Sequence, residues 1–173
     1  MSFKIVEPRI AFFHGLDSEY PSDKTIYIQE NYRYHYTPHM DYRNDDNLFE
    51  KTYQALLEFK PDLIIGNSMG GWFSYSLSTL LNVPTLLLNP AVQGRSIAVI
   101  KDVVTRQGDF RPKSMCVFGI NDDVINPYKS IDYLKAHQSL ENMVFYIGDF
   151  GHRLDAEAFD RYLKLAIHNL LQP

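Results

Sequence analysis

Residues 61–72 read Pro-Asp-Leu-Ile-Ile-Gly-Asn-Ser-Met-Gly-Gly-Trp, an apolar strand pattern that runs directly into Gly-x-Ser-x-Gly and then into a helical pattern. A chain that passes from buried strand to helix across so short a turn is committed to a sheet with helices packed on it. The turn reads as a nucleophile elbow, which holds Ser68 proud of the sheet edge. Side chains at Gly66 and Gly70 would collide there with neighbouring backbone, and glycine removes them. Ser68 also stands at the start of the helix, where the Met69 amide can face an oxyanion and the helix dipole favours negative charge. The competing account is a plain strand-to-helix turn capped by an ordinary serine. The two accounts differ in what they require elsewhere: an elbow needs a base, an acid and a second oxyanion donor.

At 173 residues the chain can bury one sizeable core and falls in the usual single-domain range of about 100 to 200, so one domain over 1–173 is expected. Its 45% hydrophobic and 22% charged residues are those of a globular protein, and no apolar run nears the roughly 18 residues of a membrane span. No membrane partner is expected. The first residues, Met1-Ser2-Phe3-Lys4-Ile5-Val6, lack the apolar core and cleavage site of a secretory signal. The single Cys116 lies in an apolar strand pattern and cannot form an internal disulfide. Both observations point to the cytoplasm. The net charge of −4, without a Lys/Arg cluster, argues against nucleic acid as a partner.

In chain order, Ile10-Ala11-Phe12-Phe13 is a short buried strand that ends at His14-Gly15-Leu16. A loop after an early strand is where the second oxyanion donor belongs, which makes the Leu16 amide the candidate, with His14 and Gly15 as loop support. On its own this loop reads better as a strand cap and a turn; coupled to the elbow, the oxyanion reading prevails. Residues 25–29 are β-branched, yet the alternating segment 32–36 makes the better strand. A parallel neighbour of the first strand needs a crossover, so a helix is expected over 21–30. His35, His39 and Asp41 have no metal-specific spacing, and no metal is assigned. Residues 44–59 place Leu48, Phe49, Tyr53, Leu56 and Leu57 on one helical face. Strand 63–66, helix 70–81 and strand 85–88 continue a βαβ rhythm, and Asn89-Pro90 ends the last of these.

Residues 91–111 have room for a small cap insertion, with Ile97, Ile100, Val103 and Val104 at roughly helical spacing and Arg95 as a surface cation. Strand 114–118 opens into Gly119-Ile120-Asn121-Asp122-Asp123, a helix follows over 127–137, and strand 142–147 ends in Gly148-Asp149-Phe150-Gly151-His152. After Asp155, an N-cap, Phe159, Tyr162, Leu163, Ala166, Ile167 and Leu170 form a helical stripe that should seal one sheet face. Ser68, an aspartate and His152 therefore each stand at a strand's carboxyl end, the edge where ligands collect in open α/β sheets. His152 would act as general base, whereas His137 and His168 fall within helical patterns. Asp122 and Asp123 are both candidates for the acid; successive side chains face opposite ways, so only one should point inward.

Phe13-His14-Gly15-Leu16, Gly66-Asn67-Ser68-Met69-Gly70-Gly71, Gly119-Ile120-Asn121-Asp122 and Gly151-His152 resemble the motifs of the α/β-hydrolase superfamily, and within it of small bacterial esterase-like proteins. The resemblance runs from Ile10 to the C-terminus. It implies a mainly parallel sheet of about six strands with helices on both faces, Ser68 as nucleophile, Asp122 as acid, His152 as base, and the Leu16 and Met69 amides as oxyanion donors. It also implies that the first hairpin and any large cap of a full-length fold are missing or reduced. The expected activity is hydrolysis of small to medium acyl esters or thioesters through an acyl-enzyme, with no cofactor. The alternatives are a binding module of the same fold with a misassembled triad, an acyltransferase, or a cofactor-free peroxidase.

Overall fold

The computed structural model describes residues 7–92, 112–137 and 140–172. In chain order the strands and helices of the described residues are β1 (Ile10–Phe13), α1 (Asp23–Asn31), β2 (His35–Tyr36), α2 (Leu48–Phe59), β3 (Leu63–Asn67), α3 (Met69–Leu81), β4 (Thr85–Leu88), β5 (Ser114–Gly119), α4 (Pro127–His137), β6 (Met143–Gly148) and α5 (Ala156–Leu171). The strands form one six-stranded sheet in the order β2-β1-β3-β4-β5-β6, each pairing parallel. This is the α/β architecture expected from the sequence.

The period-two alternation of the strands divides the core. Ile10, Phe12, Leu63, Ile65, Leu86, Leu88, Met115 and Val117 face α1 and α5, where Ile28, Phe159, Leu163 and Ala166 cover them. Ala11, Phe13, Ile64, Leu87, Cys116 and Phe118 face the other way, onto Leu56, Phe73, Leu77 and Leu134 from α2, α3 and α4. The Cys116 thiol is wholly buried, and burial pushes its pKa up. From Met69 to Ser78 every residue of α3 is buried, so the part of this helix that follows Ser68 is held on all sides.

Local choices follow tertiary demand where the two compete. Thr25 and Ile28 are buried in a helix despite their β-branching, because α1 must carry the chain back for a parallel β1–β2 pair, and Ser22 caps it by accepting from the Thr25 amide at 3.2 Å. The strand expected over 32–36 shrinks to two residues, a short edge strand. The helix expected from residue 44 begins at Leu48, since the Asp41 and Asp45 carboxylates take up the Asn44 and Asn47 amides in local turns. Leu57, expected on its apolar face, is exposed. Asp155 caps α5 by accepting from the Ala158 amide at 2.7 Å. The insertion expected over 91–111 lies outside the described residues beyond Ala91 and Val92, which are buried. Among the described residues no helix is long and apolar enough to cross a membrane.

Candidate active site

At the end of β3 the chain turns through Ser68, whose φ of 54° and ψ of −114° lie in a region that non-glycine residues rarely occupy. Such a conformation costs about 1–3 kcal/mol and persists only when its surroundings over-determine it. The surroundings here do so. The Ser68 amide donates to Leu88 O at 2.9 Å, and its carbonyl accepts from the amides of Gly71 and Ala91, each at 2.9 Å. A Cβ on Gly66 would overlap the Gly70 carbonyl and Ser74 Oγ, and one on Gly70 would overlap the Phe13 carbonyl. Both glycines are thus required by close backbone approach, as the motif suggests.

His152, in the loop after β6, brings Nε2 to 3.0 Å from Ser68 Oγ and Nδ1 to 2.8 Å from Asp122 Oδ2. The Asp122 side chain is 1% exposed and that of His152 17%, so the carboxylate is shielded while the imidazole reaches solvent. The other carboxylate oxygen of Asp122 accepts from the amides of Val124 and Ile125, both at 2.8 Å. This local turn aims Asp122 inward and leaves Asp123 exposed. A carboxylate at Nδ1 favours the tautomer that leaves Nε2 free to accept the serine proton. His168 is exposed on α5.

The loop after β1 lies against the elbow: a Cβ on Gly15 would stand 3.5 Å from that of Ser68. His14 is 2% exposed and holds this loop from below. The Met40 amide donates to its Nε2 at 2.9 Å, so the ring proton sits on Nδ1 and is donated to Gly15 O at 2.8 Å. Burial lowers the pKa of His14, with the hydrogen bond to Gly15 O working against the shift and the nearby His39 adding to it. Tyr42 Oη donates to His14 O at 2.8 Å. Met69 opens α3, so its amide has no intrahelical acceptor, and among the described residues the Leu16 amide has no partner either. Two amide donors thus stand on the two segments that meet at Ser68.

The sequence marks Asn89 only as the end of a strand. Its buried side chain bonds to both loops that carry the acid and the base. The local signal was an asparagine at a strand end before proline, a residue that tolerates the left-handed region it occupies, at φ 42°. His35 Nδ1 pairs with Tyr32 O, while His39 rests on the rings of Tyr20 and His14. Among the described residues no three His, Cys, Asp or Glu side chains are gathered as a metal ion would need.

The family model of UPF0227, an uncharacterised protein family, matches residues 9–110. No curated protein matches the sequence. Among solved structures, MGS-M1, an α/β hydrolase enzyme from a Medee basin deep-sea metagenome library, superposes with a TM-score of 0.67 at 17% identity, over 96% of this chain and 86% of that one. A candidate hydrolase of the α/β superfamily from Xanthomonas campestris pv. campestris is similar at 20% identity and a TM-score of 0.59, over 95% and 98% of the two chains. The Pyrococcus furiosus esterase Pf2001 is similar at 12% identity and a TM-score of 0.62, over 95% and 82%. At these identities the likeness is one of fold, and the fold is that of the α/β hydrolases.

Proposed function

The chain belongs to the uncharacterised family UPF0227, and we propose that it acts as a serine hydrolase that cleaves carboxylic esters or thioesters of small to medium acyl groups. One observation carries this reading: the unbroken hydrogen-bonded series from Ser68 Oγ through His152 to Asp122, at 3.0 and 2.8 Å, built on an elbow whose serine is held at φ 54°. A binding module of the same fold has no need of this alignment. The likeness to proteins named as hydrolases and an esterase lends support at the level of fold.

In the proposed reaction Ser68 Oγ attacks the acyl carbon while its proton passes to His152 Nε2, and Asp122 stabilises the imidazolium. The carbonyl oxygen becomes an oxyanion that accepts from the amides of Leu16 and Met69. Collapse breaks the bond to the leaving alcohol or thiol, which takes the proton back from His152. Water, deprotonated by the same nitrogen, then attacks the acyl-Ser68 ester; the acyl–Oγ bond breaks, Ser68 Oγ takes the proton back from His152, and the acid is released. The residues supply every proton transfer, so no cofactor enters the scheme. We place this activity in the cytoplasm, where the free, buried Cys116 suits a reducing environment.

The test is a fluorophosphonate probe with mapping of the labelled residue, alongside turnover of p-nitrophenyl esters of rising chain length. Label is expected on Ser68, and Ser68→Ala should lose it together with about 10⁶-fold in kcat at unchanged folding. Folded wild-type protein that takes no label, or Ser68→Ala with wild-type turnover, refutes the reading. Efficiency should plateau early along the ester series; a continued rise of about 0.8 kcal/mol per methylene into long chains would show a closed acyl tunnel instead.

A further inference from the structure

The serine, the acid and the base stand on three loops whose sequence positions are far apart, and residues 89–91 after β4 touch all three. The Ala91 amide donates to Ser68 O at 2.9 Å. Asn89 Oδ1 accepts from the Gly119 amide at 2.7 Å, at the point where β5 opens into the loop of Asp122. Asn89 Nδ2 donates to Gly151 O at 3.1 Å and to His152 O at 2.9 Å. The asparagine is 1% exposed, and its own amide is tied to Val117 O at 2.8 Å.

From this we infer that Asn89 is a positioning residue for hydrolysis: its side chain clamps the main chain of the His152 loop to the end of β5, and so fixes the imidazole between Asp122 and Ser68. The inference rests on the serine hydrolase reading. An amide is suited to this place because it offers donors on one side and an acceptor on the other. The two Nδ2 hydrogens meet two successive carbonyls, and the oxygen meets one amide. A carboxylate would turn an acceptor toward those carbonyls, and a hydroxyl cannot span all three partners. Among the described residues the imidazole hydrogen-bonds only to Asp122 and Ser68, so its alignment between them depends on where the Gly151-His152 main chain is fixed. A misplacement of about 1 Å in such a constellation can cost on the order of 10²-fold in rate.

The alternative is that Asn89 serves only the left-handed backbone at φ 42°, a need that glycine meets better. Asn89→Gly separates the two, with Asn89→Asp as a variant that keeps the acceptor for Gly119 and loses the donors. Asn82→Gly is the control, because Asn82 is an exposed left-handed residue that ends α3. Each is compared with wild type for kcat and KM on a short-chain p-nitrophenyl ester, for the rate of fluorophosphonate labelling, and for thermal unfolding. We expect both Asn89 variants to lose about 10- to 100-fold in kcat and in labelling rate with KM within about two-fold, while Asn82→Gly stays at wild-type rates. Folded Asn89→Gly with kcat within about two-fold of wild type overturns the inference, as does a loss confined to KM. If the glycine variant does not fold, near-normal kcat in Asn89→Asp overturns it equally. Wild-type protein that neither labels nor turns over would instead defeat the hydrolase reading itself.

Discussion

The two edges of the sheet use the same kinds of hydrogen bond to different ends. At the amino ends of the strands, the Arg9 amide donates to Asp62 Oδ2 at 2.8 Å and the Arg33 amide to Glu7 Oε1 at 2.5 Å, both at exposed positions. Water can replace either partner there, so each bond adds little. At the carboxyl ends, His14 and Asn89 are at most 2% exposed, and their side chains bond to main-chain groups of other segments. Removing one of them strands a buried donor or acceptor, and moves a loop that carries a reacting group. The difference teaches that the polar groups able to position the site are found by their burial and span rather than by their number.

The sharpest way to break this contrast lies within the carboxyl edge, in the adjacent aspartates. Asp122→Asn should lower kcat by about 10⁴-fold, because the imidazole then loses its tautomer and the partner of its cation. Asp123→Asn, at an exposed neighbour, should leave kcat near wild type in the same ester assay. A reversal of the two would move the acid to Asp123, and equal small losses would show that neither orients His152.

A second, smaller effect concerns His14. In the folded protein its pKa lies below the ordinary 6.5, with burial the main cause. Above about pH 6.5 the ring is neutral in both folded and unfolded chains and imposes no penalty. As the pH falls from there toward the folded pKa, the unfolded chain takes up the proton first, and stability drops. Denaturant midpoints of wild type should therefore fall on acidification relative to those of His14→Phe, which lacks the titrating group. The same variant leaves the Met40 amide without its acceptor, a cost of about 1–3 kcal/mol at neutral pH. Parallel pH dependence in the two proteins would remove His14 from this role. The smallest effect belongs to the amino edge: Asp62→Ala should cost less than about 1 kcal/mol in urea unfolding and leave ester turnover unchanged. A larger loss would erase the contrast between the edges.

What could be read from the sequence was local. Apart from the alternating β2, the strands announced themselves as unbroken apolar runs, as the inner strands of a parallel sheet covered on both faces do, and the glycines of the elbow marked a close approach. The strand ends that carry Ser68, Asp122 and His152 were legible for that reason. Side-chain direction was not: Asp122 turns inward because its other oxygen is engaged by two amides just downstream. Nor were partners distant in the chain. Asn89 meets residues 30 and 63 positions away, and His14 meets Met40 across 26. No window of neighbouring residues contains such information. The start of α2 was missed for a smaller reason, the competition of Asp41 and Asp45 for amides that a helix would otherwise use.

The burial of Cys116 has a practical consequence for labelling chemistry. It is the sole cysteine, it sits at 0% exposure in β5, and a thiol with a raised pKa supplies little of the thiolate that alkylating reagents require. The native protein is accordingly a silent background for maleimide or iodoacetamide. A thiol placed at the elbow by Ser68→Cys would be the one that answers, and its alkylation rate would report directly how strongly the neighbouring imidazole draws off a proton, without any assumption about the substrate.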